Sequence, residues 1–152
     1  MRTAWIALLL TLSACGQTQL ERAATNALPI SEPPIARCMN LGNALEAPQE
    51  GDWGYTVRRE DLVRLQIAGF DSFRLPVNWS EHTRKNAPYE ISRDMLARVD
   101  EIIGWANEIG LKIIVNVHHY EDLNNLPDAH EPRLEAIWDQ LAASFAGASN
   151  LV

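Results

Sequence analysis

The chain has 152 residues, of which 47% are hydrophobic and 22% charged, with eight glycines and eight prolines. These values are ordinary for a globular domain, and they exclude a collagen, a coiled coil and a wholly disordered chain. The formal net charge is −7, whereas a nucleic-acid-binding protein needs a basic surface to release counterions from phosphates. We therefore expect no nucleic-acid partner.

The N-terminal segment has the pattern of a secretory signal. Arg2 precedes an apolar run at residues 4–12, which is followed by small residues, as in a signal peptide. A run of about nine residues is too short for a transmembrane helix, which takes about 20. The ending Leu12-Ser13-Ala14-Cys15 resembles a bacterial lipobox, in which the cysteine is diacylated and becomes the mature N-terminus. An ordinary signal peptide with an incidental cysteine is the alternative.

A lipidated Cys15 would anchor the protein to the bacterial cell envelope, because more than one acyl chain gives stable membrane attachment. Gln17, in place of an aspartate, favours the outer membrane over the inner membrane by the same resemblance. We divide the chain into a signal peptide at residues 1–14, a tether at 15–36 that ends in a proline-rich stretch, and a globular domain at 37–152.

Strand-like and helix-like segments alternate along the globular domain. Residues 111–117 are apolar on both faces, as in a buried parallel strand, and residues 92–109 repeat apolar side chains at helical spacing. Thr56 is a plausible helix N-cap, and Gly69 and Gly110 mark helix ends. In order, the sequence predicts strand 38–43, helix 56–68, strand 71–77, helix 92–109, strand 111–117, helix 132–146 and the start of a fourth strand at 151–152.

Repeated strand–helix units of this length predict an α/β fold with a parallel sheet and right-handed crossovers. A closed (β/α)8 TIM barrel takes about 250 residues, but only 116 residues follow residue 36. We therefore predict a TIM barrel truncated to roughly its first three βα units plus the start of strand four. An open doubly wound sheet could be completed nearer this length, but it would not normally end on the first two residues of a strand.

In such a barrel the active site lies at the carboxyl ends of the strands. Acids, amides, histidines and indoles gather at these positions, and this set of groups suits a sugar site, since carboxylates and amides bond hydroxyl groups while indole faces stack on pyranose rings. The candidates are Asn40, Asn43, Glu46, Glu50 and Asp52 after strand one, Arg74, Asn78, Trp79, Ser80, Glu81 and His82 in and after strand two, and Asn116, His118, His119, Tyr120, Glu121 and Asp122 in and after strand three.

Four segments resemble family 5 of the glycoside hydrolases, the retaining β-glycanases that include endoglucanases and mannanases. They are NLGNALEAPQEGDWG (40–54), AGFDSFRLPVNWS (68–80), GLKIIVNVHHYEDL (110–123) and IWDQLAASF (137–145). The resemblance covers residues 37–152. It implies polysaccharide catabolism through cleavage of internal β-1,4 bonds of a glucan or mannan with retention of configuration. A β-linked polysaccharide or oligosaccharide is then the partner, no cofactor is expected, and the full-length protein is expected to be a monomer.

The resemblance also assigns two supporting residues to the catalytic centre. Arg74 matches the family arginine that hydrogen-bonds the catalytic nucleophile and favours its ionised form. His118 matches the strand-three histidine that helps position the substrate and orient the catalytic centre. A barrel-interior arginine that serves only stability is the alternative for Arg74.

Further positions match substrate contacts by the same resemblance. Glu46 could instead be a solvated loop acid, and His119 is a better sugar contact than its neighbour Tyr120. Since successive strand residues face opposite ways, only one of the two histidines is expected to point straight into the barrel. Trp53 could stack on a sugar, whereas Trp79 is expected to pack against a helix. The implied substrate-binding residues are Asn43, Glu46, His119 and Tyr120.

The catalytic carboxylates themselves are absent from the sequence. Retaining hydrolysis needs an acid/base and a nucleophile about 5–5.5 Å apart. By the resemblance, the first lies in an Asn-Glu-Pro motif at the end of strand four and the second at the end of strand seven. We therefore expect this chain alone to be inactive. A non-catalytic carbohydrate-binding lipoprotein and a decayed fragment are the alternatives.

A metal site is the alternative interpretation of the histidines. His118, His119, Glu121 and His130 include spacings that could bind zinc. Adjacent strand histidines are expected to diverge, however, and the resemblance explains them without a metal. We predict no metal ion.

Overall fold

The computed structural model describes residues 35–152, so the predicted signal peptide, Cys15 and nearly all of the tether lie outside the described residues. Within this range no helix has both the length and the apolar character needed to cross a membrane. The elements are β1 (Cys38–Asn40), α1 (Arg59–Ile67), β2 (Ser72–Val77), α2 (Arg93–Ile109), β3 (Lys112–Val117), α3 (Glu121–Asn125) and α4 (Pro127–Ser144).

The three strands form one parallel sheet in the order β1-β2-β3. The register sets Asn40 level with Arg74, and Arg74 level with Ile114. Beyond α4, Leu151 makes a parallel bridge to Ile113, so the segment predicted to start a fourth strand lies beside β3. Parallel strands joined by helices confirm the α/β class that the sequence predicts.

The core lies between one face of the sheet and the helices. Phe73, Leu75 and Val77 of β2 are fully buried, and each such side chain contributes about 1.5–3 kcal/mol to folding. Because side chains alternate along a strand, Arg74 projects from the opposite face. The helices complete the core with Leu62 from α1, Val99, Ile102, Ile103 and Ala106 from α2, and Ile137 and Leu141 from α4.

Three element boundaries differ from the prediction by three residues or more. β1 is three residues shorter than predicted, and α1 begins three residues late, because Arg58 rather than Thr56 is its N-cap and donates its backbone N–H to Asp61. α4 begins five residues early, since Pro127 takes the first-turn position that the sequence assigned to Pro132. Pro132 lies inside the helix, where it cannot donate to the carbonyl four residues back.

The predicted ends of the first two helices are confirmed. Ser92 is the N-cap of α2, and Gly110 at its C-cap has φ 82°, in the left-handed region that glycine occupies without strain. Gly69, just beyond α1, also has φ 82°.

An ion pair ties the loop between β1 and α1 to α2. Arg98 donates to both carboxylate oxygens of Glu50, from Nε at 2.7 Å and from Nη2 at 3.0 Å. Its Nη2 also donates to the carbonyl of Val57 at 2.6 Å, and the backbone N–H of Val57 donates to Glu50 at 2.9 Å. Glu50, a candidate rim acid in the sequence, therefore has a structural role in this fold.

We expect Arg98→Met to lower the free energy of unfolding by about 1–3 kcal/mol, because the substitution removes the guanidinium donors from Glu50 and from the Val57 carbonyl. Urea denaturation followed by circular dichroism measures the change. Arg59→Met is the matched control, since Arg59 pairs with Glu108 on the surface, with side chains 48% and 62% exposed, and exposed pairs contribute about 0–1 kcal/mol. Equal losses in the two variants would contradict this account.

Candidate active-site cleft

Arg74 joins the ends of all three strands at the carboxyl edge of the sheet. Its Nη1 donates to Oδ1 of Asn40, the last residue of β1, at 2.6 Å. Its Nη2 lies 3.4 Å from Nδ1 of His118. His118 directly follows β3, and its backbone N–H donates to the carbonyl of Val77 at the end of β2. The two supporting residues implied by the sequence therefore lie in contact.

Glu46 completes this cluster from the loop after β1. It is 7% exposed and is the buried carboxylate among the described residues. Its Oε2 accepts the backbone N–H of Asn43, and its Oε1 faces Nε2 of His118 at 3.6 Å. The alternative that Glu46 is a solvated loop acid is therefore wrong. Asn43 itself is exposed and has φ 65°.

The hydrogen-bonding chemistry of Arg74 fixes the tautomer of His118. A guanidinium has only donors, so Nδ1 of His118 must accept from Arg74, and the ring hydrogen lies on Nε2, facing Glu46. Burial of the ring and the charges of His119 and Arg74 lower the pKa of His118, while Glu46 acts in the opposite direction. The contact with Arg74 and the lowered pKa both favour the neutral imidazole of His118, which lies between Arg74 and Glu46.

Gly42 allows the loop to approach this cluster. A Cβ at this position would lie 2.8 Å from Nδ2 of Asn40 and 3.5 Å from Oε2 of Glu46, and the first distance is too short for a non-bonded contact. Gly42 is not among the candidate residues that the sequence predicts. Its position between two cleft residues in the motif was the available signal.

The two histidines converge, and the expectation that they diverge is wrong. Their ring centroids are 4.3 Å apart. The alternation of a strand ends with β3 at Val117, and His119 has φ 55°, a left-handed conformation that turns its side chain. The edge of the His119 ring also approaches Trp53 at 6.2 Å between centroids. Both of these side chains are exposed, Trp53 by 49% and His119 by 44%.

Convergence brings possible metal ligands together, but their chemistry does not fit a metal. Ligand atoms of Glu46, His118 and His119 lie within 4.8 Å of one another. A metal on Nε2 of His118 would move the ring hydrogen to Nδ1, where it would face the donors of Arg74. In metal sites that second nitrogen normally donates to an acceptor. The prediction of no metal therefore rests on Arg74, since the divergence argued from the sequence does not hold.

Tyr120 and Trp79 lie beneath the cleft. Tyr120 is 5% exposed, and its hydroxyl makes a 3.0 Å hydrogen bond with Nδ1 of His130 on α4. A contact between Tyr120 and a sugar stays a prediction. Trp79 is fully buried, which confirms its packing role. Glu121, 74% exposed, lies 3.9 Å from Nδ1 of His119.

Most of the chain matches the model of one protein family. The family model described as Cellulase (glycosyl hydrolase family 5) matches residues 39–152. The chain belongs to glycosyl hydrolase family 5. Endoglucanase H of Acetivibrio thermocellus is 36% identical over 110 residues, which are 72% of this chain and 12% of that protein.

Solved structures of the same family resemble the fold. Thermotoga maritima Cel5A in complex with mannotriose is 42% identical with a TM-score of 0.75, over 77% of this chain and 38% of that one. A mutant form in complex with cellobiose is 41% identical with the same TM-score of 0.75, over 78% and 41%. The chain thus spans about two fifths of the Cel5A chains it matches. This likeness assigns its three βα units to the family's α/β barrel.

We expect His118 to titrate below its ordinary pKa of 6.5, and Arg74→Met to raise that value, because the variant removes a nearby positive charge. Because the folded-state pKa of His118 is lowered, its contribution to the free energy of unfolding is fully present above pH 6.5. That contribution is lost as pH falls through the folded-state pKa. Histidine NMR titration measures the shift.

Arg84→Met is the control for this titration, since Arg84 forms an exposed pair with Glu90 on the surface. It should leave the His118 pKa unchanged. A His118 that titrates at or above 6.5 in the unsubstituted chain would refute the burial and charge argument.

Proposed function

We propose that this chain contributes substrate-binding and supporting residues to a retaining endo-β-1,4-glycanase of the endoglucanase or mannanase type, acting in polysaccharide catabolism. The observation that carries the proposal is the Arg74–His118–Glu46 cluster, which lies at the carboxyl edge of the sheet beside the exposed rings of Trp53 and His119. The mannotriose and cellobiose bound by Cel5A support a β-linked glycan as the partner. We further propose that the full-length enzyme is a monomer.

The exposed groups of the cleft match the chemistry of a sugar. The half-exposed ring of Trp53 offers an apolar face to a pyranose. Asn43 offers an exposed amide that both donates and accepts hydrogen bonds. The His119 imidazole adds a polar group beside the Trp53 ring. A pyranose has alternate hydroxyl groups and apolar faces, so this mixture of groups suits it.

Glu46 is a binding and orienting residue in this proposal. Retaining hydrolysis needs two carboxyl groups about 5–5.5 Å apart, and among residues 35–152 Glu46 is the buried carboxylate. It already accepts from Asn43 and faces His118. We assign the chemical step to the two glutamates that the family resemblance places on strands four and seven. A carbohydrate-binding lipoprotein without hydrolysis is the second candidate, because among residues 35–152 Glu46 is the one buried carboxylate.

Activity of the natural gene product distinguishes these two functions. The reading frame is expressed as the source encodes it, including any codons that follow codon 152, and is assayed on carboxymethyl cellulose and glucomannan. A retaining enzyme releases the β-anomer first, which proton NMR detects. Oligosaccharide binding without any release of reducing ends would contradict the proposed enzyme and support the carbohydrate-binding protein.

Glu46→Gln is expected to weaken binding of mannotriose or cellotriose to the chain about tenfold. The amide accepts less strongly than a carboxylate from the Asn43 backbone N–H and from Nε2–H of His118, and a hydrogen bond to a charged group contributes about 1.5–3 kcal/mol. Chemical-shift titration gives the Kd. Glu108→Gln is the control, since this acid is 62% exposed on α2 and should bind like the unsubstituted chain. An unchanged Kd for Glu46→Gln would remove Glu46 from the site.

We also propose that Cys15 is lipidated and that residues 15–36 hold the domain off the bacterial envelope, with the outer membrane as the destination. The Leu12-Ser13-Ala14-Cys15 motif behind an apolar run supports this assignment. Two acyl chains on one residue would give stable attachment where one alone binds only marginally.

Cys15→Ser is expected to abolish palmitate labelling and to release the protein from the membrane fraction. Cys38→Ser is the matched control, because Cys38 is an exposed free thiol within the globular domain and should not affect either readout. Membrane association that persists in Cys15→Ser would contradict lipidation at this position.

A further inference from the structure

Arg133 on α4 is a buried cation without a carboxylate partner. It is 5% exposed, and none of the ion pairs among residues 35–152 includes it. Its Nη2 donates to the carbonyls of Ser80 at 2.7 Å and Thr83 at 2.5 Å. Its buried Nε has no hydrogen-bond partner in the described part of the chain. A buried charge is costly unless it is paired, so stability alone is a poor explanation for this arginine.

The carbonyl groups that Arg133 binds belong to the segment after β2, which contacts the cleft from below. The hydroxyl of Ser80 lies 2.8 Å from Oδ1 of Asn78 and 3.4 Å from the carbonyl of His119. Asn78 in turn donates its backbone N–H to Leu45, the neighbour of Glu46. Ser80 therefore connects Arg133 to the backbone on both sides of the cleft.

Arg133 also contacts the residue that follows His119. Its guanidinium carbon lies 5.4 Å from the centroid of the Tyr120 ring, within range of a cation–π interaction. The Tyr120 hydroxyl bonds to His130, which lies one turn before Arg133 on α4. One helix face thus holds Tyr120 at both its ring and its hydroxyl.

His119 needs such support because of its backbone conformation. Its φ of 55° is unfavourable for a residue with a side chain and costs about 1–3 kcal/mol, so it persists only where the surroundings enforce it. Two of its neighbours contact Arg133: Ser80, whose hydroxyl lies 3.4 Å from the His119 carbonyl, and Tyr120, which follows His119 in the chain.

We propose that Arg133 is a positioning residue for the cleft: through Ser80 and Tyr120 it holds His119 in the left-handed conformation that sets the His119 ring against His118 and Trp53. The proposal rests on the function proposed above, since it makes sugar binding by His119 depend on a side chain outside the cleft. Arg133 itself does not touch the substrate.

Three variants of the full chain test the proposal. Arg133→Met removes the charge and both hydrogen bonds to backbone carbonyls. Arg133→Lys keeps the charge but lacks the planar set of guanidinium donors. Ser80→Ala removes the hydroxyl near His119 while keeping the backbone carbonyl that Arg133 binds. Arg59→Met is the control for a surface arginine on α1.

The first readout is the NMR chemical shift of the His119 ring in the chain without ligand. Its neighbours His118 and Trp53 impose ring-current shifts, so a displaced ring changes its signals. We expect changed His119 signals in Arg133→Met and Ser80→Ala, partial restoration in Arg133→Lys, and no change in Arg59→Met. The second readout is the Kd for mannotriose, expected to rise about tenfold in Arg133→Met, which corresponds to 1.4 kcal/mol.

Variants that unfold at lower urea but keep the His119 signals and the Kd of the unsubstituted chain would show a purely structural arginine and overturn the proposal. If Arg133→Met does not fold, the His119 signals of Arg133→Lys and Ser80→Ala decide between a positioning role and a purely structural role. If the unsubstituted chain binds no oligosaccharide, the proposed function fails. The His119 signals still show whether Arg133 positions the ring.

Discussion

The guanidinium of Arg74 is the constraint on which the rest of the cleft depends. It is permanently charged and can only donate hydrogen bonds, so each neighbour in contact with it has to accept. Asn40 offers its carbonyl oxygen and His118 its Nδ1. The acceptor role of Nδ1 then leaves the ring hydrogen on Nε2, facing Glu46. One donor-only side chain thereby sets the state of a histidine and makes a metal at that position unfavourable.

Two further arginines hold the loops that carry the cleft residues. Arg98 on α2 binds Glu50 and the carbonyl of Val57 after β1, and Arg133 on α4 binds two carbonyls after β2. Both reach the loops from helices on the outer face of the sheet. The loops that carry the cleft residues are therefore tied to helices, as a site with several separate contributors requires.

The distribution of site residues over several strand ends follows from the architecture of the family. In an α/β barrel each strand end contributes one or two side chains to a shared site, so no single segment contains the whole reaction. The described strands and the loops that follow them supply an arginine, two histidines and a buried glutamate, to which the proposed function gives binding and orienting roles. This explains how a chain that spans 38% of Cel5A holds a recognisable cleft in which Glu46 is the buried carboxylate.

The sequence by itself determined the three strands, the end of α2 at Gly110 and the placement of Arg74 and His118 at one edge of the sheet, because apolar periodicity and strand-end position depend on near neighbours along the chain. It misplaced the start of α4, since Pro127 and Pro132 both suit a helix start. Only the tertiary structure decided the pairing of Arg98 with Glu50, 48 residues apart, the approach allowed by Gly42 and the convergence of His118 with His119. These depend on a left-handed backbone and on contacts between distant elements, which local pattern does not encode.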